Sequence, residues 1–196
     1  NPQSGKAFNY KKDDNYLSEL GLDKNKKTVV IFMGSLGSET VTKVMIDFFK
    51  LLDGTYQVIY ATGSAYYEDV VSKTEKKDYL VIKERIDGIK AMKASDLLVS
   101  RAGATTLCEI TALGMPAILI PSPYVPNNHQ YFNALALVKN DAALMIEEKD
   151  LSAISLKEKI DSIINDVDTL NSLANNARSM ANSTVIEDII EKVEKL

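Results

Sequence analysis

Tryptophan is absent from the chain, and histidine and cysteine occur once each, as His129 and Cys108. With one cysteine no intrachain disulfide can form, so a reducing compartment is the natural reading. With one histidine and one cysteine there is no metal-ligand cluster, and neither a metal nor a cofactor is expected. Basic residues are not in excess: 23 against 27 acidic ones leave a net charge of −4, which gives no reason to propose nucleic acid as a partner. Long apolar runs are missing too, since none approaches the roughly 18 residues that span a bilayer. The longest, Met115 to Pro121, suits a buried strand. No signal-peptide pattern is present, so the expected address is the cytoplasm.

What is present is the composition of a folded domain. At 45% hydrophobic and 26% charged, 196 residues suffice for one substantial core and not for two domains of ordinary size. Residues 1–27 are polar and lysine-rich, with one short helical pattern from Asp14 to Leu20 stopped by Gly21. They read as a lead-in to a domain covering 28–196. Beginning on Asn1-Pro2 without an initiator methionine, the chain is expected to be a piece cut at a linker.

Thr28 to Met33 is continuous, β-branched and apolar, as a central parallel strand buried on both faces requires. Strand and helix patterns then alternate. Strands are expected at Tyr56–Ala61, Leu80–Lys83, Leu97–Ser100, Ala117–Ile120 and Ala143–Ile146. Helices are expected over the spacing that begins at Val41, at Tyr66–Lys76, at Ile89–Ala94, after Ala104, and at His129–Val138. Six strands separated by helices imply an α/β, doubly wound, Rossmann-like parallel sheet, whose ligands bind beyond the carboxyl ends of the strands.

Two glycine turns must lie at those ends. Ser100 to Gly114 runs from a strand through Ala102-Gly103-Ala104 straight into a helix. Such a turn lets backbone N–H groups approach a ligand, and the helix start favours an anion such as a diphosphate. Glu109, about one turn in, can accept hydrogen bonds from a ribose diol; equally, Thr106-x-x-Glu109 fits a capping box. Both readings stand on this stretch alone. Cys108 in the same helix reads as a small packed residue, with a reactive thiol as the sharper alternative. The other turn, Gly34-Ser35-Leu36-Gly37-Ser38, lacks the full dinucleotide fingerprint and the lysine of a P-loop, so it identifies neither.

Pro121 to Pro126 carries three prolines and forms a stiff loop before His129. His129 has no nearby nucleophile and reads as a surface or cap residue. Gln130 and Asn133 share one helix face, where their amides can read sugar hydroxyls or simply be solvated. From Ser155 onward the chain reads as helical, with capping boxes at Ser155-x-x-Glu158 and Thr184-x-x-Glu187 and an apolar stripe over Val185, Ile186, Ile189, Ile190 and Val193.

In their order and spacing, the segments Ser100-Arg101-Ala102-Gly103-Ala104 through Glu109, Gly114-Met115-Pro116, Asn128-His129-Gln130 and Asn133-Ala134, with the G-S-x-G turn, resemble the carboxyl-terminal half of the MurG family. These are the UDP-N-acetylglucosamine transferases that convert lipid I to lipid II. The resemblance runs from Asn1-Pro2, which is similar to the family's interdomain N-P, to the final helix.

The resemblance implies one half of a GT-B glycosyltransferase, with this half binding UDP-GlcNAc. It places Gly34, Ser35 and Gly37 at the phosphates, Ala104, Thr105 and Thr106 at the phosphates and GlcNAc, Glu109 on the ribose, and Gln130 and Asn133 on GlcNAc hydroxyls. Arg85 or Ile86 would meet uracil through backbone groups. It places no catalytic residue in this domain. The acceptor site for lipid I, the candidate base and the membrane-facing patch belong to an amino-terminal half, which makes the parent a peripheral enzyme of the cytoplasmic membrane face in peptidoglycan synthesis. Cell-wall biogenesis, cell shape and division follow from that role. The fragment alone is expected to be silent. Other readings are the donor half of another GT-B transferase, such as a glycolipid synthase or a split two-subunit GlcNAc transferase, and a non-catalytic nucleotide-sugar module. Two departures from the family pattern are Leu36, where Gln or Arg is frequent, and Gln3-Ser4, where an arginine is expected.

Overall fold

A computed structural model of the chain describes residues 7, 10, 13, 15–34 and 37–181. Among the described residues six strands form one parallel sheet: β1 (Thr28–Phe32), β2 (Gln57–Ala61), β3 (Leu80–Lys83), β4 (Leu97–Ser100), β5 (Ala117–Leu119) and β6 (Leu144–Met145). Their order is β3-β2-β1-β4-β5-β6. Among the described residues the helices are α1 (Tyr16–Glu19), α2 (Glu39–Leu51), α3 (Tyr67–Lys73), α4 (Gly88–Ala94), α5 (Ala104–Leu113), α6 (His129–Val138), α7 (Ala153–Ile164) and α8 (Val167–Ser179).

Period-two alternation divides the core. Val29 and Ile31 of β1 face a cluster with Met45, Phe48 and Phe49 of α2, Val70 of α3 and Ile160 of α7. Val30, between them, faces the opposite cluster with Met92 of α4, Ile110 of α5, Leu137 of α6 and Ala177 of α8. The sheet is therefore covered on both faces, which is why its central strands are apolar along their length, with buried polar side chains only at their ends, Thr28, Gln57 and Ser100. Each fully buried Phe or Ile contributes about 1.5–3 kcal/mol relative to exposure. Pairing of β1 with β4 begins at Val29↔Leu97 and ends at Phe32↔Ser100. Asp96 marks its start by accepting from the Thr28 N–H (2.9 Å) and pairing with Lys27 (2.8 Å).

The doubly wound sheet and its six strands match the expectation. Three local readings change. Residues before Lys27 are more than a lead-in, because Tyr16, Leu17 and Leu22 are buried in the second cluster. α7 starts earlier than Ser155: Ser152 is its N-cap, and Ser152 and Ser155 form the capping box reciprocally, leaving Glu158 inside the helix. β6 is only two residues long. The capping box and apolar stripe expected after Thr184 lie outside the described residues.

Candidate functional site at the strand-order switch

Strand order reverses between β1 and β4, so the chain leaves these neighbours toward opposite faces of the sheet and opens a crevice at their carboxyl ends. Both glycine turns begin there, since Phe32 and Ser100 are register partners. One turn leads into α2 and the other into α5. Ser35 lies outside the described residues.

Neither helix start carries a side-chain cap. Gly103 precedes α5 and has no side chain to offer. Ser38 precedes α2 in the extended conformation usual for an N-cap, yet its hydroxyl accepts a 2.7 Å hydrogen bond from Arg101 instead. Asp87, Ser152 and Asp166 cap α4, α7 and α8, while α1, α3 and α6 also start without a side-chain cap, away from this pair of turns. The capping-box reading of Thr106 and Glu109 is overturned. α5 begins at Ala104, which makes Thr106 the third helical residue and puts Glu109 too far along to reach an N-cap amide.

The glycines differ in what they need. Gly37 has φ +75°, and a Cβ there would stand 2.4 Å from the Thr62 carbonyl oxygen and 2.8 Å from the Tyr66 ring. Packing against the β2–α3 loop accounts for it. Gly34 has φ +82° with open space around it. Gly103 is different from both: its φ of −72° suits any residue, and a Cβ would meet nothing within 4 Å. No contact inside the described chain requires a glycine at 103.

Two cavities share Gly34. One, of 560 Å³, is lined by Gly37, Ser38, Arg101, Ser122, Tyr124 and Gln130 among others. The second, of 450 Å³, is lined by Phe32, Gly63, Ser64, Arg85 and Ile86 among others. The Arg85 side chain is exposed and pairs loosely with Glu84 at 3.6 Å. Ile86 packs its side chain against the second core cluster. A polar cavity of 500 Å³ with Lys24, Lys93 and Asp96 in its wall lies at the opposite, amino-terminal ends of the strands and includes none of the expected site residues.

Ala104 and Thr105 are exposed at the start of α5, and Thr106 is half-buried. Cys108 is half-buried in the same helix. Burial raises the Glu109 carboxyl above the usual carboxylate range, and the nearby charge of Asp87 adds to the effect. Glu109 makes no hydrogen bond or ion pair among the described residues. A half-buried carboxylate left unpaired is destabilising, and it is the kind of group a ligand's hydroxyls satisfy.

Gln130 and Asn133 stand on α6 as expected, but each amide is half engaged. Gln130 Oε1 accepts from the Ser122 N–H (2.9 Å), tying the proline loop to α6. Asn133 Nδ2 donates to the carbonyl of Ala102 (3.0 Å), holding the turn before α5. Each keeps one free end, Nε2 of Gln130 and Oδ1 of Asn133. Asn127 and Asn128 both adopt positive φ, 54° and 50°, a conformation asparagine tolerates better than most residues. His129 is exposed, and its Nδ1 lies 2.9 Å from the Pro126 carbonyl oxygen.

Arg101 was not singled out by residue type or spacing. Its guanidinium is buried, with Nη1 on the Ile120 carbonyl (3.1 Å), and Nη2 on Ser38 and 2.6 Å from Glu148 Oε2. Both side chains of this ion pair are nearly inaccessible, 9% and 5% exposed. The pair is close in distance without hydrogen-bond angles at the carboxylate. Its sequence signals are its place in the Ser100–Ala104 segment and an arginine directly after an otherwise apolar strand, neither of which gives it a role. Among the described residues no group of three His, Cys, Asp or Glu could hold a metal ion, and no helix is long and apolar enough to cross a membrane.

Comparison with known proteins agrees with this geometry. The glycosyltransferase family 28 C-terminal domain matches residues 28–193. The UDP-N-acetylglucosamine--N-acetylmuramyl-(pentapeptide) pyrophosphoryl-undecaprenol N-acetylglucosamine transferase of Bacillus subtilis (strain 168) is 40% identical over 92% of this chain and 51% of its own length. The protein of the same name from Caldanaerobacter subterraneus is 36% identical over 100% of this chain and 55% of its own length. The chain thus spans about half the length of the curated relatives it matches. Among solved structures, Acinetobacter baumannii MurG aligns with a TM-score of 0.80 at 23% identity, covering 97% of this chain and 55% of that one. The glycosyltransferase VinC, in complex with dTDP, aligns at 0.67 and 14% identity over 87% of this chain and 42% of that one, a likeness of fold. With the family match spanning all six strands, the chain belongs to the glycosyltransferase family 28 C-terminal domain family.

Proposed function

We propose that this chain is the donor-binding half of a GT-B GlcNAc transferase, whose parent moves GlcNAc from UDP-GlcNAc to the C4 hydroxyl of the MurNAc of lipid I with inversion. The observation that carries the proposal is the pairing of two helix starts without side-chain caps at the strand-order switch, with the unpaired carboxylate of Glu109 in the second helix. The relatives' shared name supports the choice of donor and acceptor.

In this reading the diphosphate lies across the turns at Gly34, Ser35 and Gly37 and at Ala104, Thr105 and Thr106. Gly34 and the start of α2 supply backbone N–H groups, while Gly37 shapes the turn. Positive potential from these helix starts stabilises the leaving UDP as the glycosidic bond breaks. Glu109 accepts from the ribose diol, which relieves the cost of its burial. The backbone of Arg85 and Ile86 meets uracil in the 450 Å³ cavity. The free ends of the Gln130 and Asn133 amides face GlcNAc.

Inversion also needs an acceptor hydroxyl opposite the leaving group and a base for its proton. Glu109 is assigned to the ribose, and His129 is an exposed residue at the start of α6. The base, the lipid I site and the contact with the cytoplasmic membrane face are therefore assigned to the half of the relatives that this chain does not span. The test is calorimetric titration with UDP-GlcNAc, UDP-glucose and UDP, followed by a radiolabelled transfer assay with and without the amino-terminal half. Binding of UDP-GlcNAc without turnover, and turnover once the other half is added, is the expected result. Absence of nucleotide binding, or turnover by this chain that disappears in His129→Ala, would refute it.

A further inference from the structure

Ser38 holds the residue type, the position and the extended backbone (φ −154°, ψ 121°) of a helix N-cap, yet makes no capping hydrogen bond. Its hydroxyl is turned to Arg101 at 2.7 Å. The arginine cannot follow a different rotamer cheaply, because its other nitrogen is held by the Ile120 carbonyl and its charge faces Glu148 where both side chains are nearly inaccessible. A serine that would ordinarily satisfy an amide of the first turn of α2 is thereby held off it.

We propose that Arg101 is a positioning residue for the donor diphosphate: it diverts Ser38 from capping α2 and so keeps that helix start open to an anion. This rests on the donor-site reading above. Glu148 neutralises the guanidinium, which makes Arg101 a fixed strut. The diverted serine and the phosphate compete for the same amides, and Arg101 decides the competition in advance.

The distinguishing experiment is a double-substitution cycle on the 196-residue chain, with UDP and uridine as probes. Arg101→Lys keeps a positive charge opposite Glu148 but gives up the second nitrogen, so it releases Ser38. UDP affinity is expected to fall about fivefold, the worth of an ordinary cap. Uridine, lacking phosphate, is expected to change less than about twofold. Ser38→Ala alone removes the competitor and should leave UDP affinity within about twofold. The double variant should regain most of what Arg101→Lys loses, since a helix without a capping side chain is open again. A purely structural arginine would show no rescue when a further contact is deleted. Additive losses in the double variant would overturn the proposal, as would a fivefold loss in Ser38→Ala, which leaves the Arg101 contacts with Ile120 and Glu148 in place and would make the serine itself the ligand. Hydrogen exchange at the first turn of α2 supplies a readout without nucleotide: protection should rise in Arg101→Lys and not in the double variant, and unchanged protection in Arg101→Lys counts against the proposal. If the unsubstituted chain fails to bind UDP, the donor-site reading falls while exchange still decides whether Arg101 diverts Ser38.

Discussion

Gly103→Ala separates the needs of the fold from the needs of a ligand more cleanly than any other single change. The backbone at 103 is in an ordinary extended conformation, and the added methyl would meet nothing within 4 Å. Replacing a glycine at a compatible site lowers the entropy of the unfolded chain and stabilises by about 0.4–1 kcal/mol. Alanine is a poorer N-cap residue than glycine, at a cost of several tenths to about 1 kcal/mol. The two offset, so the net change in stability is expected within about 0.5 kcal/mol, or about 2 °C in Tm for a chain of this length. Binding should respond differently, because the proposed diphosphate approaches the backbone where the methyl would stand. A loss of at least tenfold in UDP affinity is expected, about 1.4 kcal/mol. Gly37→Ala is the opposite case. Its φ of +75° and the 2.4 Å approach to the Thr62 oxygen predict strain of about 1–2 kcal/mol from the dihedral, and more from the contact with backbone. Thermal melts and calorimetric titration of the two variants measure both quantities. A Gly103→Ala chain that binds UDP as tightly as its parent would show that nothing approaches the turn, and one that melts 6 °C lower would show that the fold requires the glycine.

Glu109→Gln should bind UDP about tenfold more weakly, since a carboxylate–diol contact is worth about 1.5–3 kcal/mol, yet melt no lower than the parent at pH 7. The sign follows from the raised carboxyl: proton binding is favoured in the folded state, so the stability it contributes is present below the unfolded-state pKa and is lost as pH rises through the folded one. The advantage of the glutamine variant should accordingly vanish in acid, and a variant less stable than the parent at pH 7 contradicts the assignment. Gln130→Ala is expected to weaken UDP-GlcNAc with UDP unchanged, whereas Asn133→Ala should weaken both because it frees the Ala102 carbonyl; equal effects of the two substitutions in paired titrations would refute that distinction. Glu148→Ala leaves the Arg101 charge buried without its counter-ion, at a cost of about 3–5 kcal/mol, so Tm should drop by at least about 6 °C, and a smaller drop would place water or another anion beside the arginine.

The sheet was legible because its strands are apolar on both faces except at their ends. Leu80–Lys83 and Leu97–Ser100 coincide with the expected strands, and α6 with its expected helix, since periodicity fixes elements that bury one stripe or two faces. Caps were less legible. The Thr-x-x-Glu pattern at residue 106 and the Ser-x-x-Glu pattern at residue 155 satisfy a motif, but where a helix starts depends on where the preceding strand or loop delivers the chain, and α5 and α7 start two or three residues earlier. Glu109 could be narrowed to two roles from spacing, and only the position of Gly103 ahead of α5 removed the cap. Arg101 was out of reach because its partners, Ser38, Ile120 and Glu148, are 63, 19 and 47 positions away. Gly37 looked like a ligand-facing glycine, and only the Thr62 carbonyl above it reveals a packing reason.

The β1–β4 register has a consequence for how the molecule assembles. β1, β2 and β3 follow one another in sequence and in space, so half the sheet can pair early during synthesis or refolding. The other edge of β1 must wait for β4, with Val29 pairing to Leu97 across a long stretch of chain. During that interval Val29, Val30 and Ile31 present an unsatisfied, fully apolar strand edge, the kind of surface on which chains associate wrongly. Lys27 and Asp96 sit at the entry to the pair and fix its alignment once it forms. Stopped-flow refolding should therefore show most secondary structure returning before nucleotide binding, and binding that recovers with the first phase would contradict this order. The crevice is thus completed only when the two halves of the sheet meet, and a chain stalled before that point is expected to aggregate and to lack the proposed nucleotide site.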